Sequence, residues 1–221
     1  MDLLGAARAA TGHWLRRHAP GVVASLLGSL VGVAHANGAR DQSVGIAGHA
    51  DVALGKVVAL APNGTARPLT RGDTILAGDR VLSIDGQVRI RFTDGALVWL
   101  LPQTELHVME YRYDGRADGT ETAFYGLSNG TIRMTTGAIG RINRSRLQIA
   151  TPSATIGVRG TGGMIEVGRD GATQLTSTSG IWTLSNAHGT ALIPAGTVGT
   201  VTPGSTSPPT LQGDSAVNQR R

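Results

Sequence analysis

The sequence predicts an all-β fold: a single antiparallel-rich β-sandwich or β-roll domain following a cleaved signal peptide. Three observations predict it. The apolar residues are mainly Val, Ile, Leu and Ala, and aromatic residues make up only 4% of the chain. The 32 glycines and 9 prolines recur as turn signals at short intervals, the punctuation of many short strands. No segment keeps a sustained helical period. At 221 residues the chain is long enough for one full core, and one domain is expected.

At the N-terminus, Arg8, Arg16 and Arg17 precede an uncharged run over 21–33, which is followed by Ala34-His35-Ala36. A positive flank, a short apolar run and an A-x-A ending form a secretory signal peptide over 1–36, cut after Ala36. The run is shorter than the roughly 20 apolar residues of a spanning helix. A periplasmic or secreted location is expected. Residues 37–50 read as a polar lead-in to a domain spanning 37–201.

Turn signals follow at Pro62-Asn63-Gly64, Arg71-Gly72-Asp73, Ala77-Gly78-Asp79, Asp85-Gly86 and Asp94-Gly95, with "KVVAL", "RVLSI", "VRIRF" and "ALVWLL" between them as strands. In "VRIRF", Val88, Ile90 and Phe92 alternate with Arg89 and Arg91, so one face is buried and two arginines meet water. Asp94-Gly95 supplies the positive φ angles of a tight hairpin. "ELHVMEYRY" is extended, with its buried face undecided, because Leu106 and Val108 oppose Met109, Tyr111 and Tyr113. From 131 onward "TIRMTT", "RLQIAT", "GMIEVG", "ATQLTSTS", "IWTLSN" and "TALIPAG" continue the pattern, with a hairpin turn at 168–171. Trp99 and Trp182 are expected in the core. The Pro/Ser-rich tail 202–221 has little to bury and reads as disordered.

Composition also limits chemistry. With no cysteine, disulfides, zinc thiolate sites and cysteine nucleophiles are excluded. The formal charge is +5. Taking the three arginines and one aspartate of residues 1–36 from the 20 basic and 15 acidic residues leaves 17 and 14, or +3. That excess gives no ground for a nucleic-acid partner. His49, His107 and His188 lie far apart without metal-ligand spacing, so no metal and no cofactor is expected. Asp73 and Asp79, in "RGDTILAGD", are read as turn caps.

Residues 151–164, "TPSATIGVRGTGGM", hold the densest signal. A phosphate loop would need G-x-x-x-x-G-K-[ST], and the single lysine is Lys56. A glycine cluster between extended runs reads as a bulge or crossing where backbones approach closely. Arg159 is then expected to hydrogen-bond fixed acceptors near the crossing. The competing reading is self-cleavage at Gly160-Thr161. There the threonine hydroxyl attacks the preceding carbonyl and moves the acyl group from nitrogen to oxygen, and the sequence names no base for that step. "GLSNG", 126–130, matches G-x-S-x-G around Ser128, but without a strand-to-helix context it reads as a turn. Arg133, Arg141, Arg144 and Arg146 form a basic patch that could meet anionic polymer or membrane headgroups.

The ordered series "PLTRGDTILAGDRV", "RIRFTDGALVWLLPQTEL", "GTIRMTTG", "LQIATPSATIGVRGTGGMIEV" and "GTALIPAGTVGTV" resembles the FecR-type periplasmic domain from about Val44 to Val201. The resemblance makes Thr151, Pro152, Arg159, Gly160 and Thr161 a family signature, and implies an envelope protein acting in signal transduction. Family regulators carry a cytoplasmic region and a membrane helix ahead of this domain, whereas a removable leader is expected here. Where the family places a bulky residue two positions after Arg-Gly-Thr, this chain has Gly163. Together these readings predict an exported, non-catalytic interaction or sensing module with an envelope protein partner. The alternatives are a polysaccharide- or peptidoglycan-binding module, for which the low aromatic content is a poor fit, and a regulator that cleaves itself at Gly160-Thr161. Peripheral membrane contact is compatible with each.

Overall fold

The computed structural model describes residues 45–213 except 117, with only the backbone described at 144 and 159–161. The expected signal peptide, and tail residues 214–221, lie outside the described residues. Fifteen strands are present among them: β1 Ile46–Leu54, β2 Val57–Leu60, β3 Ala66–Pro68, β4 Thr74–Leu76, β5 Arg80–Ser83, β6 Gln87–Phe92, β7 Leu97–Leu100, β8 Thr104–Arg112, β9 Thr122–Thr135, β10 Leu147–Ala150, β11 Thr155–Val167, β12 Thr173–Asn186, β13 Gly189–Pro194, β14 Thr197–Val201 and β15 Thr210–Gly213. A five-residue helix, α1 Ala138–Ile142, and a 3₁₀ turn at Arg144–Arg146 join β9 to β10. The fold is all-β.

Three long strands organise it. The first half of β9 lies between β8 and β10, and its second half lies between β7 and β11. Similarly, β11 runs from β10 to β9 while β12 accompanies it throughout, and β12 runs from β14 to β13. Two rows result: β4–β1–β6–β7–β9–β11–β12–β14–β15 and β3–β2–β5–β8–β9–β10–β11–β12–β13. Among the described strands only β9 and β10 pair in parallel, through the α1 crossover. One core joins the rows; Trp182, Phe92, Ile90, Leu127, Ile149 and Leu184 are at most 1% exposed. Phe92 meets Tyr125 edge-on at 5.1 Å and Tyr111 at 5.4 Å.

Hairpin chemistry is local and repeated. At 61–65, 92–96 and 168–172 the same two backbone bonds close a turn whose last loop residue is a glycine with φ between 82° and 85°. This is a turn ending in a left-handed residue, which glycine adopts without strain. Asp94 itself does not have the positive φ expected of it; it accepts the Ala96 amide instead.

Several expectations are corrected. Residues 46–50 belong to β1, an interior strand between β4 and β6 whose Ala47 and Ala50 are fully buried. "GLSNG" lies within β9, where Ser128 is the extra residue of a bulge opposite Glu105 and Leu106. The face question in "ELHVMEYRY" has a two-part answer. Met109 bulges, so Leu106 and Val108 before it and Tyr111 after it all point inward. Trp182 is core, but Trp99 is half-buried on the outward face of β7. In the tail, Thr210–Gly213 pairs with β14, although all four residues are exposed. Among the described residues no helix is long and apolar enough to cross a membrane.

Candidate functional site

The glycine cluster is a crossing. Between Arg159 and Gly162, β11 has one residue more than β12, and between Gly162 and Gly163, β12 has one more than β11. Two opposed bulges bend the pair and restore its register, and here β11 passes from β10 to β9. Trp182 spans the bend and donates from Nε1 to the Gly162 carbonyl at 3.0 Å. A Cβ on Gly163 would lie 2.7 Å from Trp182 Cζ2 and 2.8 Å from Cε2, so the indole occupies the space a bulky residue would need. The side chains of Arg159 and Thr161 lie outside the described residues, and Gly160 between them is part of β11.

Thr151 serves a second structural role, in the β10–β11 turn that also holds Pro152. Thr151 Oγ1 accepts from the Ala154 amide at 3.0 Å and lies 2.7 Å from Thr173 Oγ1, which also meets Ser153. Ser153 donates to the Val201 carbonyl. The β10–β11 turn is thereby tied to the start of β12 and the end of β14 through hydroxyls, and Thr151 and Thr173 are at most 2% exposed.

Asp73 caps its turn, accepting from the Thr70 amide and hydroxyl, which hold its carboxyl below the usual range. Asp79 accepts from the Leu76 amide and also pairs with Arg67. It is fully buried. Arg67 donates as well to the Thr74 carbonyl. Asp94 is a second buried carboxylate, tying the β6–β7 hairpin to Tyr111 and to the Ile139 amide of α1. Burial and the Asp94 charge push the Tyr111 phenol well above its ordinary value. Tyr125 is also raised by burial, and its hydroxyl has no hydrogen-bond partner among the described residues. Burial and Arg80 lower His107. No cluster of His, Asp and Glu suited to a metal is present among the described residues.

The predicted basic patch divides. Arg133 is exposed on β9, while Arg141 sits on α1 and donates to the Thr136 carbonyl, and Arg146 is the exposed last residue of the 3₁₀ turn. The Arg144 side chain lies outside the described residues. Arg133 instead joins a row across neighbouring strands, Arg89–Trp99–Arg133–Met164. The Arg89 guanidinium lies over the Trp99 ring, 5.4 Å from its centroid. Asp51 accepts from Arg89 and Arg91 at 2.8 Å each. Desolvation opposes ionisation of Asp51, but the two arginines outweigh it and hold its carboxyl below the usual range. The two-residue hairpin expected at Asp94-Gly95 would set Arg89 opposite Leu100; the three-residue loop over 93–95 shifts the register by one and sets it opposite Trp99, a residue expected in the core.

A polar depression of about 430 Å³ adjoins the middle of β9, lined by Gln103, Asn129, Glu166 and Arg169 among others. Gln103, with φ of 60°, is the one non-glycine residue with positive φ among those described. Asn129 donates to its carbonyl and Arg169 to its side-chain oxygen.

Residues 79–181 match the family described as FecR protein, an interval from the buried Asp79 through the crossing into β12. No curated protein matches the sequence. Two crystal structures of a candidate anti-sigma factor from Parabacteroides distasonis ATCC 8503 are similar, at 10% and 9% identity and TM-scores of 0.48 and 0.46. Each alignment covers 60% of this chain and 58% of the other.

Proposed function

We propose that this FecR domain-containing chain is an exported, non-catalytic interaction module of the bacterial cell envelope that takes part in signal transduction through a protein partner. The observation that carries the reading is the FecR match over 79–181. The outward row Arg89–Trp99–Arg133 supports it as a contact surface, because aromatic and arginine side chains supply most of the energy where proteins meet. A signal through such a module requires the partner to prefer one of its conformations.

Intact mass and site-directed photo-cross-linking test this together. The chain recovered from the periplasm of an expressing cell should be one species beginning at Asn37. A photoreactive phenylalanine replacing Trp99 should give a discrete protein adduct that is absent when the same residue replaces exposed Thr178. Retention in the cytoplasm with residues 1–36 attached contradicts export. Fragments divided at Gly160-Thr161 contradict the non-catalytic reading and make Thr161 the reactive group.

A further inference from the structure

The ends of the two strand rows are not alike. β3 contains Pro68, β13 ends on Pro194, and β4 has three residues. Proline removes a ladder donor and short strands offer few, which are ordinary ways of blunting a sheet edge. At the remaining end stands β14, Thr197-Val198-Gly199-Thr200-Val201, with no charge and no proline. Its threonines and valines favour extended structure. Among the described residues this edge is covered by β15, in the register Thr197↔Gly213, Val198↔Gln212, Gly199↔Leu211 and Thr200↔Thr210.

β15 contributes nothing to the core. All four of its residues are exposed, with Leu211 at 53%. Beyond the ladder, the side-chain contacts holding it among the described residues both run between Thr200 and Thr210: Oγ1 to Oγ1 at 2.6 Å, and Thr210 Oγ1 to the Thr200 carbonyl at 3.5 Å. It arrives through residues 202–209, which contain Pro203, Pro208 and Pro209. That linker is fastened separately, by Asn186 Nδ2 donating to the Ser207 carbonyl at 2.7 Å. β15 can therefore leave while the segment before it stays in place.

We infer that the β14 edge is a strand-acceptor site for an extended polypeptide, and that β15 is an internal occupant which a partner's strand displaces. The inference deepens the proposed interaction role and rests on it for its biological partner. Recognition would be antiparallel β-addition: the backbone ladder supplies affinity, and a hydroxyl opposite Thr200 sets the register. The tethered β15 has a high effective concentration at the edge, so it sets a threshold that an incoming strand must exceed.

The test uses a fluorescent peptide with the sequence of residues 207–213, SPPTLQG, and three proteins: the full chain, a chain ending at Pro209, and the full chain with Thr200→Cys and Thr210→Cys. The native sequence has no cysteine, so oxidation of the third protein locks β15 in place and reduction releases it. The shortened chain should keep its thermal midpoint and bind the peptide at least tenfold more tightly than the full chain. The oxidised double variant should bind none, and reduction should restore the full-chain level. No binding to the folded shortened chain overturns the acceptor site. Equal binding to the locked protein overturns displacement, because the peptide then adds outside β15. Unfolding of the shortened chain overturns it too, by making β15 part of the core. Since no biological partner is present, any of these failures leaves the interaction role to be judged by cross-linking at position 99.

Discussion

The crossing at Gly162-Gly163 and the edge at Thr210–Gly213 are both strand pairs closed by backbone bonds, yet they differ in everything beyond the backbone. At the crossing a fully buried indole lies against Gly163 and donates to the Gly162 carbonyl. At the edge no side chain is buried. Ordering a residue costs roughly 1–2 kcal/mol of backbone entropy, whereas a hydrogen bond returns a net of about 0.5–1.5 kcal/mol. A strand held by its ladder alone therefore stays near balance, and packing makes a pairing permanent. The difference teaches that pairing and stability are separable in this sheet.

Substitutions can break or sharpen that contrast. Trp182→Ala should have the largest effect, about 3–5 kcal/mol, the cost of emptying a large aromatic site in a close-packed core; chemical denaturation reads it. Gly163→Ala comes next at about 1–3 kcal/mol, because the new methyl overpacks against the indole. The double variant should be less than additive, since removing the ring opens the space the methyl needs. Strict additivity would place the glycine's role elsewhere.

The two buried tyrosines give a smaller and finer contrast. Tyr111 donates to Asp94 Oδ1 and accepts from the Asp94 amide, so Tyr111→Phe should cost about 1–2 kcal/mol at neutral pH. The Tyr125 hydroxyl is buried without a partner, and Tyr125→Phe should be neutral or stabilising by up to about 1 kcal/mol. Both phenols are raised above their ordinary value of 10.0 in the fold. A raised phenol favours the fold fully below its unfolded value, and that contribution is lost as pH rises toward the folded value. Stability should therefore hold through neutral pH and fall above about pH 10, with a shallower fall in Tyr111→Phe. The smallest effect is expected at Ser128→Ala, within about 0.5 kcal/mol, and a larger loss would give this bulge residue a role beyond shape.

Much of this was legible in the sequence because it is local. The Asn-Gly and Asp-Gly turns, the alternation in "VRIRF" and the glycine-rich crossing follow from backbone sterics and period. What was missed depends on partners distant in sequence. β1 is built on small residues, Ala47 and Ala50, without a β-branched run, and only its burial between β4 and β6 makes it a strand. Bulges at Met109 and Ser128 shift the alternation phase, so "ELHVMEYRY" looked two-faced and "GLSNG" looked like a turn. Asp79 was readable as a cap, but its ion pair needed Arg67 from β3, and Asp94 as a link to Tyr111 and α1 was invisible from its hairpin alone. Of the candidate site, Thr151 falls in a buried hydroxyl knot with the half-buried Pro152 beside it in the same turn, while the arginine run spreads over a strand and a crossover.

Amide hydrogen exchange on the full chain, resolved by residue, tests the contrast most directly. Amides of residues 164–167 and 173–177, flanking the crossing, should exchange only through global unfolding. Those of 211–213 that bond to β14 should exchange on the order of a thousandfold faster or more, through local opening that leaves the rest folded. Equal protection at the two places would contradict the account, because it would make β15 part of the same cooperative unit as the crossing.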